Sequence, residues 1–97
     1  MGSFKKDKPA ILYYLSINDG QAYKIGVTGL SVMQRFSSTD LAKIKVIKTV
    51  KYATGEEAYI EEQRIVKEFA NMKYTGNPLL DSHGNTELFK IDVLSLD

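Results

Sequence analysis

Ninety-seven residues, 43% hydrophobic and 26% charged, make one compact domain and exclude both global disorder and a multi-domain chain. No run of ~18 apolar residues is present to span a bilayer, and the absence of Cys removes any disulfide framework or thiolate zinc site. The net charge of +1 means that DNA, as a partner, must meet basic groups gathered on one face or supplied by another domain or subunit. Lys5, Lys6 and Lys8 precede only a short apolar stretch that also reads as a strand. No secretion signal and no membrane partner are therefore expected, and the expected location is cytoplasmic.

Residues 1–9 read as a flexible N-terminal segment and residues 10–97 as a single domain. Ala10–Ile17 is β-branched and aromatic, Asn18-Asp19-Gly20 supplies turn residues, and Ala22–Thr28 resumes the strand pattern, which predicts a hairpin. Ser31 with Gln34 is a capping box for a short helix, Ser31–Ser37. Ile44–Tyr52 reads as a third strand interrupted by Lys45, Lys48 and Lys51. Thr54 with Glu57 is a second capping box, opening a helix to about Ala70. Asn71–Asn85 is loop-like, and Glu87–Val93 closes with a last strand. The predicted order is β-β-α-β-α-β. It implies an α+β fold, a small, mainly antiparallel sheet flanked by helices.

One position on the long helix is out of pattern. At ~100° per residue, Ala58, Ile65, Val66, Phe69 and Met72 gather on one apolar arc, and Glu62 points into its middle. A carboxylate facing the body of a domain is paired, protonated or bound to a metal, because stranding its charge is costly. Pairing with an Arg or Lys, or a place at the rim of the core, is the plain alternative. Arg35 ends the short helix and offers a planar fork suited to phosphate oxygens, against the commoner role of a solvated arginine. Lys24 projects to the face opposite Tyr23 and Ile25. Tyr13, Tyr14 and Tyr23 crowd the hairpin, where strand aromatics are usually core. His83, in the polar run Asp81-Ser82-His83-Gly84-Asn85, is the single histidine. Without Cys, a zinc site of usual composition is excluded. A metal here needs carboxylate, carbonyl and water ligands, which suits Mg²⁺ or Mn²⁺.

Taken together from Ile11 to Phe89, these pieces resemble the GIY-YIG nuclease superfamily. The first motif of that family, Gly-Ile-Tyr, is similar to Ile11-Leu12-Tyr13, and its other motif, Tyr-Ile-Gly, is similar to Lys24-Ile25-Gly26 with Val27-Thr28. The family arginine matches Arg35. The helical glutamate, in its setting of alanine before and an apolar pair with lysine after, matches Glu62 among Ala58, Ile65, Val66 and Lys67. The downstream asparagine maps to Asn77 before Pro78, with Asn71 as a rival. Ile11 stands where the family has glycine and Lys24 where it has tyrosine, with Tyr23 one place early. A one-residue slip changes face, so Tyr23 does not simply stand in. Tyr-Lys-Ile-Gly-x-Thr with a closing Glu87-Leu88-Phe89 is similar to the phage-type branch.

The resemblance implies hydrolysis of DNA phosphodiester bonds with Mg²⁺ or Mn²⁺ held by Glu62. Arg35 would bind the scissile phosphate, and Tyr13 or Lys24 would position or deprotonate the attacking water, with Arg35 or Lys24 lowering the Tyr13 pKa. Asn77 would orient a ligand. Tyr23 and Thr28 would touch substrate, and Lys45 and Lys48, with Lys43 and Lys51, would track the DNA backbone, a solvated strand face being the alternative. A homodimer would enlarge the DNA footprint. The competing reading is a module of the same fold that has lost catalysis and binds DNA or a protein partner.

Overall fold

Strands β1 (Ala10–Ile17) and β2 (Ala22–Thr28) form the expected hairpin. Its turn is possible because Asn18 and Asp19 accept left-handed φ values of 51° and 56°, followed by Gly20 at 92°. The structure, a computed structural model, describes residues 4–29, 31–80 and 87–97. His83 and its neighbours Asp81, Ser82, Gly84 and Asn85 lie outside them.

Strand β3 (Ile44–Tyr52) pairs antiparallel with the other edge of β1. Between Tyr14 opposite Lys48 and Leu15 opposite Val46 the register slips, leaving Ile47 as the extra residue of a β-bulge. Strand β4 (Leu88–Phe89) adds to β2, giving a four-stranded antiparallel sheet in the order β3-β1-β2-β4. With its few helices, the chain is a small α+β protein.

The order of elements departs from expectation after β2. The capping box of Ser31 and Gln34 forms, but the helix it opens, α1 (Val32–Arg35), stops at Phe36. Phe36 takes an extended conformation that buries its ring edge-on against Tyr13. Ser37 then caps a separate helix, α2 (Ser38–Leu41), by accepting the Asp40 amide. Two short helices therefore stand where one was expected, and the order is β-β-α-α-β-α-β.

The long helix α3 (Gly55–Glu68) ends before Ala70, and a 3-10 turn follows over Ala70–Met72. Its Thr54 cap is one-sided: the hydroxyl accepts the Glu57 amide and donates to the Glu57 carboxylate. Two further first-turn amides, of Gly55 and Glu56, donate to the carbonyls of Lys8 and Lys6. Residues 4–8, expected as a flexible extension, thus run across the start of α3.

The last strand is shorter than Glu87–Val93. Its outer edge is taken by residues 72–74, since the Lys90 amide donates to Met72 and the Tyr74 amide to Leu88. Residues 91–97 then leave the sheet and fold over the α3 face, where Tyr14 donates its hydroxyl to Asp92 at 2.6 Å.

Alternation along the central strands separates two cores. Leu12, Tyr14, Tyr23, Ile25 and Val27 pack with Ala58 and Ile65 of α3, and with Phe89. Tyr13, Leu15 and Ile17 pack with Val32, Phe36, Leu80 and Leu88 on the other face.

Candidate functional site

The hairpin puts Tyr13 and Gly26 directly opposite each other, so their side chains belong to one face. Gly26 has no side chain to contribute, and a Cβ there would collide with the Tyr13 hydroxyl and ring. The phenol occupies the space above the second motif. Lys24 is opposite Leu15 and Leu88 on the same face, two residues before Gly26. Thr28, two residues after it, is fully buried.

Tyr13 is 2% exposed, and burial raises its pKa to about 12 against the lowering effect of the nearby Arg35 guanidinium; Glu62 and Glu87 raise it further. The expectation that neighbouring cations make Tyr13 acidic is thus overturned, because desolvation of the phenolate outweighs them. The Lys24 side chain is 3% exposed. Burial lowers its pKa to about 8, while Glu87 and Glu62 pull it up and Arg35 pushes it down. An amine in that range is roughly one-tenth neutral at pH 7, so of the two candidates Lys24 is the better proton acceptor.

Arg35 comes from the end of α1, its guanidinium carbon 5.3 Å from the centre of the Phe36 ring. Its Nε is buried and has no acceptor among the described residues. Glu62 comes from the middle of α3, 7% exposed between the core residues Ala58 and Ile65. Burial raises its pKa; a hydrogen bond from Gln63 at 3.0 Å and the charge of Lys24 act against this, and Glu87 adds to it. Glu62 joins no ion pair among the described residues, whereas Arg64 on the exposed side of α3 takes Glu61 and Glu68.

Tyr13, Lys24, Arg35 and Glu62 thus come from four elements into one electrostatically coupled group. Glu87 is the member that sequence reasoning missed. Its carboxylate is 3.9 Å from the Lys24 ammonium and about one-third exposed. Apart from its place in Glu87-Leu88-Phe89, nothing in the sequence marks it, because its proximity depends on β4 pairing with β2 at Lys24.

Other expected residues lie elsewhere. Lys45 and Lys48 are opposite Ser16 and Tyr14, on the α3 face and therefore across the sheet from Tyr13 and Lys24. Lys45 is bound to Asp97 at 2.6 Å. Tyr23 shares that face, stacking on Tyr14 and donating its hydroxyl to Asp97. The lysines were expected as one stripe, but the bulge at Ile47 and the strand pleat divide them. Lys43 turns instead to the Leu79 carbonyl, and Lys51 stands opposite Ile11. Asn77 is exposed on the segment after the 3-10 turn, with its backbone carbonyl accepting the Tyr74 hydroxyl. Asn71 is exposed within that turn.

Among the described residues no group of three or more His, Cys, Asp or Glu side chains gathers into a metal cage. Glu62 fits a more open arrangement, in which one carboxylate and several waters hold Mg²⁺ or Mn²⁺. No helix of the described residues is long and apolar enough to cross a membrane. Compared with known proteins, the chain matches no protein family, no curated protein and no solved structure.

Proposed function

We propose that this chain is a metal-dependent DNA endonuclease of the GIY-YIG type, hydrolysing phosphodiester bonds at the Tyr13, Lys24, Arg35 and Glu62 group. The observation that carries the reading is a buried carboxylate, Glu62, that joins no ion pair among the described residues and lies in the field of a buried lysine and tyrosine. Stranding that charge is costly, and a site for a cation gives the cost a purpose.

Glu62 would hold the divalent ion, which when bound neutralises phosphate charge and stabilises the departing oxygen. Arg35 binds the scissile phosphate, to which its buried Nε, without an acceptor among the described residues, can donate. Lys24, neutral in a fraction of molecules near pH 7, accepts the proton of the attacking water. Tyr13 keeps its proton and orients that water through its hydroxyl. Lys45, Lys48 and Tyr23 lie on the opposite face of the sheet from Tyr13 and Lys24.

Plasmid nicking with Mg²⁺ or Mn²⁺ tests the reading: wild type cuts and Glu62→Ala does not. Equal cutting by both would sink it. The depth of burial of Tyr13 and Lys24 favours a second reading, a module of the same fold that binds DNA or a protein partner without cutting. A wild type whose melting temperature millimolar Mn²⁺ leaves unchanged belongs to that second reading.

A further inference from the structure

One edge of the sheet is left without a neighbouring strand among the described residues. The strand order is β3-β1-β2-β4, and the outer side of β4 is taken by Lys73, which bridges to Phe89. The outer side of β3 has no such neighbour. Among the described residues, the backbone of Ile44–Tyr52 is hydrogen-bonded to β1 alone. Alternate residues of an antiparallel strand turn their N–H and C=O groups to each side, so those directed away from β1 are left open. β1 and β2 are buried almost throughout, whereas Lys45, Val46, Lys48, Thr49 and Lys51 are exposed.

The bulge at Ile47 divides this edge. Beyond it, Lys48–Tyr52 keeps an unbroken register with β1 and offers a regular template for a further strand. Charge decides what that strand can be. Lys45 is already held by Asp97 at 2.6 Å, so a carboxylate of the chain itself meets β3. Lys48 and Lys51 take part in no ion pair or hydrogen bond among the described residues. A second copy aligned along the whole of β3 would set Lys48 against Lys48 and Lys45 against Lys51. Like charges directly opposite are destabilising. DNA brings the right charge but no row of amides and carbonyls to complete a ladder.

Lys48 and Lys51 project to opposite faces, as their partners Tyr14 and Ile11 do. We infer that Lys48–Tyr52 is a docking edge for an extended acidic peptide, which adds a strand to the sheet. Two carboxylates of that peptide, three residues apart, would stand against Lys48 and Lys51. Main-chain bonds give such a complex its affinity, and the side chains give it selectivity. The inference is independent of Glu62 and of cleavage. Lysines and a bulge also serve simply to keep other strands off an edge, and that plainer role predicts no binding.

Titration of the isotope-labelled protein with the peptide Thr-Val-Glu-Val-Thr-Glu-Val tests this, read from amide shifts in the NMR spectrum. The shifts should concentrate in Lys48–Tyr52, and binding should vanish when both glutamates of the peptide are replaced by lysine. Lys48→Ala and Lys51→Ala should each weaken binding about 2- to 5-fold, the worth of one cross-strand ion pair. N-methylation of one alternate set of peptide amides should abolish binding while methylation of the other set is tolerated. An edge strand bonds only alternate amides of its partner. Absence of peptide binding overturns the inference and leaves the lysines as guards of the edge. Unimpaired binding by both methylated peptides overturns it too, since charge alone would explain the contact. A chain that sediments as a dimer with slowly exchanging β3 amides would put a second copy on the edge instead. Tighter binding of a DNA duplex at these residues would assign them to phosphate.

Discussion

The Tyr13 side chain fills the space above Gly26, its partner across the hairpin. The glycine of the second motif is thereby tied to the tyrosine of the first: one has no side chain so that the other can lie across it. The ring is also fixed edge-on by Phe36, 5.8 Å between centroids, and so has little room to retreat. Gly26→Ala should destabilise the protein by about 1–3 kcal/mol, the usual cost of overpacking a filled core. It should also move the phenol relative to Arg35. An unchanged urea midpoint would refute the close packing.

Lys24 and Tyr13 give the stability a pH dependence of two opposite signs. For Lys24 the folded pKa, about 8, lies below the ordinary 10.5, so the unfolded chain binds more protons between these values. Stability therefore rises with pH through that window, and charge on Lys24 costs about 3 kcal/mol below it. For Tyr13 the folded pKa, about 12, lies above 10.0, so the folded chain keeps its proton longer and stability falls from pH 10 upward. Denaturation curves should show a maximum slightly above pH 10, at about the point where the two effects balance. Lys24→Met should abolish the rising limb and be the more stable protein at pH 7.

Glu62 should behave as a group retained at the expense of stability. Burial raises its pKa, so the folded state favours the protonated form, and stability falls as pH rises through and above the ordinary carboxylate range. Glu62→Gln should melt higher than wild type at pH 7 in metal-free buffer and cut no DNA. A lower melting temperature would mean that the carboxylate is stabilising, and that its burial needs no functional explanation.

The two faces of the sheet should separate in mutagenesis. Tyr14→Phe removes the hydroxyl that donates to Asp92 and should cost about 1–2 kcal/mol, with the nicking rate unchanged under conditions where the variant is folded. Lys45→Ala and Lys48→Ala, on the same face, should leave both the nicking rate and the salt dependence of DNA binding as in wild type. A salt slope reduced by about one for either lysine would mean that DNA touches these lysines.

Much of this protein is local in origin and was therefore legible. The hairpin follows from alternation and from Asn18, Asp19 and Gly20, and the first capping box needs only Ser31 and Gln34. Glu62 stood out because a 3.6-residue period carries it into an apolar arc. Its burial between Ala58 and Ile65 follows directly from that period. The break at Phe36 was not legible, since an aromatic residue ends α1 only because Tyr13 offers its ring a buried partner. Nor was the early end of the last strand, which depends on residues 72–74 pairing with β4.

The amino-acid order by itself determined the hairpin, the third strand, the main helix and the place of Glu62 on its apolar arc, because propensity and period act between near neighbours, while Tyr13, Lys24 and Arg35 became candidates through the family resemblance. Only the tertiary structure decided which charges feel one another. The bulge at Ile47 and the sheet pleat set Lys45 and Lys48 apart from the site, and burial, not proximity to cations, governs the Tyr13 proton. Pairing of β4 with β2 brings Glu87, sixty-three positions from Lys24, to its ammonium. Long-range register and desolvation arise from the whole packed chain, and no window of sequence contains them.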